Sequence, residues 1–501
     1  MEQSIEHPEN LGHKLARGSL IMISLRALVR LLGLISIVIV ARLIPPADIG
    51  ISALAAAVMV GVEVFHNMGL SVALIRKREV TTNDLNTVWS LSVARGCIKA
   101  LLIAALAPYA ADYFGEPRLT NILYILGATA FCTGFSNTGT IEFHRKLQYS
   151  RLFWLRLGSQ FAYLLSVIVA AVVLRSYWAL IIGIVTERLV GLVLGYLMHG
   201  FRPRLAWKPD KNLFAFSMWY WIYGIVSFFS GRSDMFIISR MIGIADLGSY
   251  TISKRLANVA SAEISGPVAI ALRPGYARLS RALKDLRRVY LYAAEGLLLI
   301  GIPVVVGLLV ATEPLMRVLF GPQWVSAAPL VQILASIGII RMLLIQNQTL
   351  LLQVGAERLV VAMAVFRLVL LLPSLYVGAV NWGLTGAAGA VVLSTFVLWV
   401  CSQVVVSSRL EIGLGRMLAI VWHPLIAGAA MGLELWSLLE IWPIGAAMPL
   451  AAVKLCAVIA VAAGTYLFLV FLLWIASGRP EGVLSKSLAM LFRRLTPLRA
   501  G

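Results

Sequence analysis

Cysteine is scarce in this 501-residue chain, and the four present, Cys97, Cys132, Cys401 and Cys456, stand singly inside apolar runs. That spacing excludes a disulfide framework and a thiolate metal site, and leaves core packing as their role. Charge is scarce too, at 13% of residues, and acid is the rarer sign: 23 Asp and Glu against 43 Lys and Arg, for a formal net charge of +20. The basic surplus forms no domain or stripe. It lies in short clusters between apolar runs and at scattered points inside them, which argues against nucleic acid as a partner. The chain also lacks a Walker A glycine loop, so it does not itself hydrolyse a nucleotide. It has no aspartate pair or extended loop to house a membrane glycosyltransferase site, and no motif calling for a metal or organic cofactor.

What the chain does have is apolar length. It is 60% hydrophobic, and its mean hydropathy is +0.88. No soluble core of this size hides that much apolar surface. A helix crosses the ~30 Å hydrocarbon core in roughly 20 residues. Runs of that length fall near 19–42, 49–72, 86–110, 119–140, 152–174, 177–198, 213–241, 247–271, 290–310, 327–352, 358–380, 384–407, 416–438 and 448–475. The fold class is therefore an all-α polytopic membrane protein of about fourteen spans. The first run is too long for a signal-peptide core and lacks a small-residue cleavage site, which makes it a retained span.

The turns alternate in charge. Arg76-Lys77-Arg78, Arg145-Lys146, the group Arg202, Arg204, Lys208 and Lys211, and the stretch Arg273 to Arg288 are basic, whereas the turns near 43–48, 111–118, 311–325, 381–383 and 439–447 carry little lysine or arginine. The positive-inside rule puts the basic set and both termini in the cytoplasm of a bacterial inner-membrane protein. Two segments look interfacial: 276–289, with Leu279, Leu283, Leu286 and Val289 as an apolar stripe, and the tail, with Leu484, Leu488, Leu491 and Leu495. Anchoring to an anionic leaflet is the simplest role for both.

One pattern occurs twice. ARLIPPADIG at 41–50 and SRMIGIADLG at 239–248 match at Arg42/Arg240, Ile44/Ile242, Ala47/Ala245, Asp48/Asp246 and Gly50/Gly248, and SVAL at 71–74 matches AIAL at 269–272 at the same offset. Each copy leaves one span and enters the next on the periplasmic side. Asp48 and Asp246 are placed to cap the entering helices, and Pro45-Pro46 enforces the break. Six spans separate the copies, an even number, so the repeat is parallel, about an axis along the membrane normal. The expected domains are 1–212, spans one to six; 213–412, spans seven to twelve; and 413–501, two additional spans and a basic tail. A cavity would lie between the two six-helix lobes.

Intramembrane charge points to what such a cavity holds. Arg26 and Arg30 share a face of the first span, Arg95 and Lys99 of the third; Arg232, Lys254, Arg255, Arg341 and Arg367 lie in later spans. If all faced lipid, the penalty would reach roughly 20–30 kcal/mol. Glu63, Asp234 and Glu263 are candidate partners, and Glu187 can neutralise Arg188, but acids are too few for the bases. A wet cationic cavity suits an anionic ligand. Gln348 shares a face with Arg341, and Gln346 and Asn347 beside it serve either sugar hydroxyls or interhelical bonds. Glu63, His66, Asp234 and Glu263 are the candidates for ion or proton coupling.

The stretches LIPPADIGISALA, GLSVALIRK, HRKLQYSRL, GIADLGSYTISKRLANV and PVAIALRPGYARLSR resemble the polysaccharide transporter family, the Wzx-like oligosaccharide flippases of the MOP exporter superfamily. The resemblance implies two lobes that open alternately to cytoplasm and periplasm. It also implies a substrate in which a polyprenyl chain of the undecaprenyl type carries a pyrophosphate-linked sugar repeat unit. Membrane lipids, and the polymerase and chain-length proteins of an exopolysaccharide, capsule or O-antigen pathway, are the implied partners. Basic residues of the first, second, seventh and eighth spans are implied near the pyrophosphate, a role that Arg26, Arg30, Lys254 and Arg255 fit, with Arg232, Arg341 and Gln348 as further substrate contacts. The second span departs from the pattern, with Glu63 and His66 instead of a base. A cation-coupled multidrug exporter of the same superfamily, or a membrane polymerase or glycosyltransferase, is the alternative.

Overall fold

A computed structural model of the chain describes residues 8–66, 80–206, 217–442 and 448–478, with residues 482 and 485. All regular structure among them is helical. Contacts divide the chain into two compact units, 1–248 and 249–501.

The first unit begins with α1 (Pro8–Leu43) and α2 (Pro46–His66). Pro46 sits at the first helical position of α2, where its missing N–H costs nothing. Next come α3 (Thr82–Phe114), α4 (Arg118–Gly134), the short α5 (Ile141–Arg145), α6 (Tyr149–Leu174), α7 (Trp178–Met198) and α8 (Ser217–Met241). Thr81 and Asp84 form a reciprocal capping box at the start of α3, and Gly115 ends it at φ 67°. The main packing pairs are α3 with α4, α6 with α7, α1 with α6 and α2 with α8.

The second unit takes most of α9 (Ile244–Leu279), then α10 (Leu283–Val310), α11 (Thr312–Leu319), α12 (Ala328–Ser336), α13 (Gly338–Gln353), α14 (Glu357–Leu410), α15 (Leu414–Ile441) and α16 (Met448–Ala476). As one rod, the 54 residues of α14 would run ~80 Å, far beyond a bilayer. Gly383, at φ 57° and ψ −137°, breaks the helix, and Arg367 meets Thr395 at 3.3 Å across the bend. The element is a helical hairpin, with its turn where the sequence put it. The α10, α15 and α16 helices share a core of Leu298, Ile302, Met431, Leu435, Leu455 and Tyr466.

Among the described residues the apolar runs fall on helix, the fourth running into the break after Gly134 and the tenth lying on the broken pair α12 and α13. Ten described helices are long and apolar enough to cross a membrane, one of them the α14 hairpin, and the bent pair Arg118–Gly134 with Thr138–Arg145 adds another. The charged α8 and α9 fall outside that measure. The 276–289 segment is not a separate interfacial helix: the chain bends between Leu279, the last residue of α9, and Leu283, the first of α10, and Tyr276, Leu286 and Tyr290 are buried. Apolar residues at helical spacing served two helix ends instead of one surface helix. The tail at 484–495 and the SVAL segment lie outside the described residues.

Both copies of the repeated decapeptide lie in the first unit, and they touch. A Cβ on Gly50 would strike the carbonyl oxygen of Ile244, and one on Gly248 would strike that of Pro46. Pro46 and Ile244 are themselves equivalent positions, so the contact is reciprocal, as two-fold related surfaces require. Asp48 lies in the first turn of α2, inside the helix and not at its N-cap, and its side chain reaches other elements. Its carboxylate accepts the Tyr177 N–H at 2.9 Å and Arg118 Nη1 at 3.3 Å, and Arg118 also grips Glu116. One side chain thus ties together the N-terminal ends of α2, α4 and α7.

Candidate functional site: a charged cavity in the first unit

Periodicity on three helices builds this cavity. On α3, Arg95 and Lys99 lie one turn apart; on α6, Arg156, Ser159 and Gln160 share a face; on α7, Glu187, Arg188, Gly191 and Gly195 do the same. Gly96 and Gly134 allow α3 and α4 to meet, since a Cβ on Gly96 would lie 3.0 Å from the Cα of Gly134. Together with Glu63 of α2 and Val29 of α1, these residues line about 600 Å³. Four bases (Arg95, Lys99, Arg156 and Arg188) face two acids (Glu63 and Glu187). Lys99 Nζ lies 3.8 Å from Glu63 Oε1, and the buried Arg95 Nε has no hydrogen-bond partner among the described residues. A smaller space of about 190 Å³ shares Glu63, Lys99, Glu187 and Arg188 with the first.

One end of the cavity is held by Asn137, a lining residue whose amide donates to the carbonyls of Gly195, His199 and Phe201 at 3.3, 3.2 and 3.1 Å. The segment 199–206 is strapped along α3 by Asn86 Oδ1, which accepts the Arg204 N–H, and Ser90 Oγ, which accepts that of Ala206. His199 takes the Phe201 N–H on Nδ1 at 3.1 Å, so its proton belongs on Nε2, which faces Glu142 at 3.9 Å. Burial holds the imidazole below its ordinary range; Glu142 opposes this, while Lys146, Arg151 and Arg202 reinforce it.

The sequence-expected site residues are distributed as follows. Arg26 and Arg30 are exposed on α1; neither lines the cavity, although Val29 between them does. Glu63 reaches it and pairs with Lys99; the His66 side chain lies outside the described residues. On α8, Arg232 is half-buried, and Asp234 is buried with its Oδ1 accepting the Met235 N–H at 3.0 Å. In the second unit, the Lys254 ammonium lies 5.6 Å from the Tyr250 ring centre, Arg255 is exposed, and Glu263 is half-buried. Arg341 donates to Asn258 Oδ1, and Gln348 is half-buried. Gln346 and Asn347 join helices: Gln346 donates to Tyr276 and to the Tyr290 carbonyl, and Asn347 accepts from the Tyr290 hydroxyl while donating to Ser402 and Gln403. Arg156 and Gln160 were missed in the sequence, where the i, i+4 spacing on one apolar run was their only signal.

The second unit carries a space of a different kind, about 490 Å³, between α9, α10, α15 and α16. Leu256, Val259, Val304, Met431, Ile459 and Tyr466 are among its walls, and no charged side chain lines it among the described residues.

A family profile described as polysaccharide biosynthesis protein matches residues 39–329. Among curated relatives, the chain is 19% identical to the lipopolysaccharide biosynthesis protein WzxC of Escherichia coli K12, over 71% of this chain and 73% of the relative. It is 22% identical to the teichuronic acid biosynthesis protein TuaB of Bacillus subtilis 168, over 74% and 78%. It is 24% identical to the succinoglycan biosynthesis transport protein ExoT of Rhizobium meliloti, over 60% and 61%. Among solved structures, the fold is similar to the lipid II flippase MurJ in an inward closed conformation, with TM-score 0.68 and 12% identity, covering 92% of this chain and all of that one. It is also similar to an inward-facing multidrug resistance MATE transporter of the MOP superfamily, with TM-score 0.62 and 16% identity, covering 76% and 94%.

Proposed function

Since the chain belongs to the polysaccharide biosynthesis protein family, we propose that it is a flippase that moves a polyprenyl-pyrophosphate-linked oligosaccharide from the cytoplasmic to the periplasmic leaflet of a bacterial inner membrane. The observation that carries this reading is the presence, in one membrane fold, of a cavity with surplus positive charge and a groove with no charged side chain among its described walls. The first suits an anionic head and the second an aliphatic tail, each within its own unit. A cationic drug would be repelled by four bases facing two acids, which disfavours the multidrug reading. The relatives named for lipopolysaccharide, teichuronic acid and succinoglycan synthesis and the flippase-like fold support the same class of cargo. Both termini are cytoplasmic, and the mechanism is alternating access without catalysis.

Arg26 and Arg30, with Arg232, Lys254, Arg255, Arg341 and Gln348, guide the head group along its path, and Glu63, His66, Asp234 and Glu263 are the candidates for coupling to an ion. The test is complementation of a deletion strain, scored for exported polysaccharide beside an immunoblot of membranes. The wild-type gene restores export. Arg30→Ala keeps protein level but abolishes export, and Arg30→Lys retains part of it, because lysine keeps the point charge and loses the bidentate fork. A deletion strain that exports normally refutes the reading.

A further inference from the structure

We infer that the charged cavity of the first unit binds the diphosphate of the cargo and leaves its sugars outside. The inference rests on the proposed pyrophosphate-linked cargo, and it assigns a site built on α3, α6 and α7, away from the bases of α1 and α9 that the sequence singled out.

Four observations converge. Arg95, Lys99, Arg156 and Arg188 exceed Glu63 and Glu187 by two charges, which matches a doubly anionic diphosphate diester. Donors are in reserve. Lys99 Nζ lies 3.8 Å from Glu63, beyond the ~2.7–2.9 Å of a charge-assisted hydrogen bond, and an ammonium has three donors. Arg95 Nε makes no hydrogen bond among the described residues, and a charged donor left unmade inside a protein is costly. Third, the surfaces between the charges are small, including Ser92, Gly96, Thr133 and Ser159, so phosphate oxygens approach the bases closely; the three hydroxyls are turned to the Val88, Ala130 and Leu155 carbonyls of their own helices. Fourth, the described lining has no aromatic ring. Sugar rings expose C–H faces that are covered best by flat apolar side chains, and none is offered here. The volume of about 600 Å³ is that of a small-molecule pocket, adequate for a diphosphate with its hydration and too small for a sugar repeat unit several residues long. A cavity of this kind reads the linkage and not the glycan.

The test uses the full chain in discs of neutral phosphatidylcholine, titrated calorimetrically with inorganic pyrophosphate. Saturable binding is expected. It weakens about tenfold in Arg95→Gln and in Arg156→Gln, a loss of one charge-assisted contact, and Arg95→Lys falls between. Arg156 is exposed, so its variant keeps the proposal testable if Arg95→Gln fails to fold. Maltose, a neutral disaccharide, leaves the titration unchanged. Discs containing phosphatidylglycerol bind pyrophosphate as well as neutral ones do; a loss there assigns the cavity to lipid headgroups and overturns the proposal. Binding unaffected by either glutamine variant, or displacement by maltose, also overturns it. Wild-type export with no pyrophosphate binding refutes this site alone, whereas a deletion strain that exports normally refutes the flippase reading.

Discussion

Asp48 occupies one position of a repeated decapeptide and carries two loads. Its Oδ2 satisfies the Tyr177 N–H and its Oδ1 meets the half-exposed Arg118. The two are separable by substitution. Asn keeps an acceptor for the amide and loses the charge, at about 0.5–1 kcal/mol for an ion pair this exposed. Ala loses both and leaves a backbone donor unmade, at about 1–3 kcal/mol. Thermal unfolding in detergent should therefore rank wild type above Asp48→Asn and Asn above Asp48→Ala. Equal losses in the two variants contradict the division. None of this was legible in the sequence, where an aspartate after Pro-Pro reads as a helix cap; its partners are remote in the chain and meet it only in the fold. The cavity was half legible for the same reason. Arg95 and Lys99 announce themselves by charge and spacing on one helix, but Arg156 and Glu187 lie on separate helices, and their convergence is a property of the α6–α7 pairing.

At the scale of elements, apolar runs were readable because lipid imposes length: a run long enough to span becomes helix. Ends were less readable, since the bend between α9 and α10 falls inside an unbroken amphipathic pattern. The α14 hairpin shows what a single backbone angle contributes. Gly383 sits where a side chain is strained by about 1–3 kcal/mol, so Gly383→Ala should lower the melting temperature, and Gly389→Ala, with open space and ordinary helical angles, should not. The strap at 199–206 gives a pH prediction. His199 is held neutral in the fold, with its ionisation lowered by burial, so its contribution is present above the unfolded value near ~6.5 and is lost as pH falls through the folded value below it. Protonation also removes the acceptor for the Phe201 N–H. Asn in its place offers an oxygen that does not titrate in this range. The drop in melting temperature on acidification from neutral pH should thus be smaller for His199→Asn than for wild type; an equal drop assigns the acid sensitivity to other groups.

For the molecule as a whole, the charge of the proposed cargo makes transport a matter of the membrane field. With the cytoplasm negative, each negative charge carried outward gains about 2.3 kcal/mol per 100 mV. Collapsing the potential of sealed inverted vesicles with valinomycin and potassium should slow the flipping of a fluorescent lipid diphosphate, and restoring an interior-positive potential should speed it. A rate indifferent to the potential indicates that the head group crosses with its charge compensated.

The meeting of Gly50 with Gly248 has a genealogical consequence. If the two decapeptides descend from one half-length ancestor, their contact descends from one between two copies of a single gene product, each offering the same face to the other. At such a place in a homodimer a single mutation strikes both sides at once, so only residues compatible with themselves are tolerated. In one chain the two positions vary independently, and both are glycine. The backbone-to-backbone fit at Pro46 and Ile244 leaves no room for one partner to grow while the other shrinks. A half-length gene encoding a six-span protein with one such decapeptide would therefore be expected to yield a homodimer joined at this glycine.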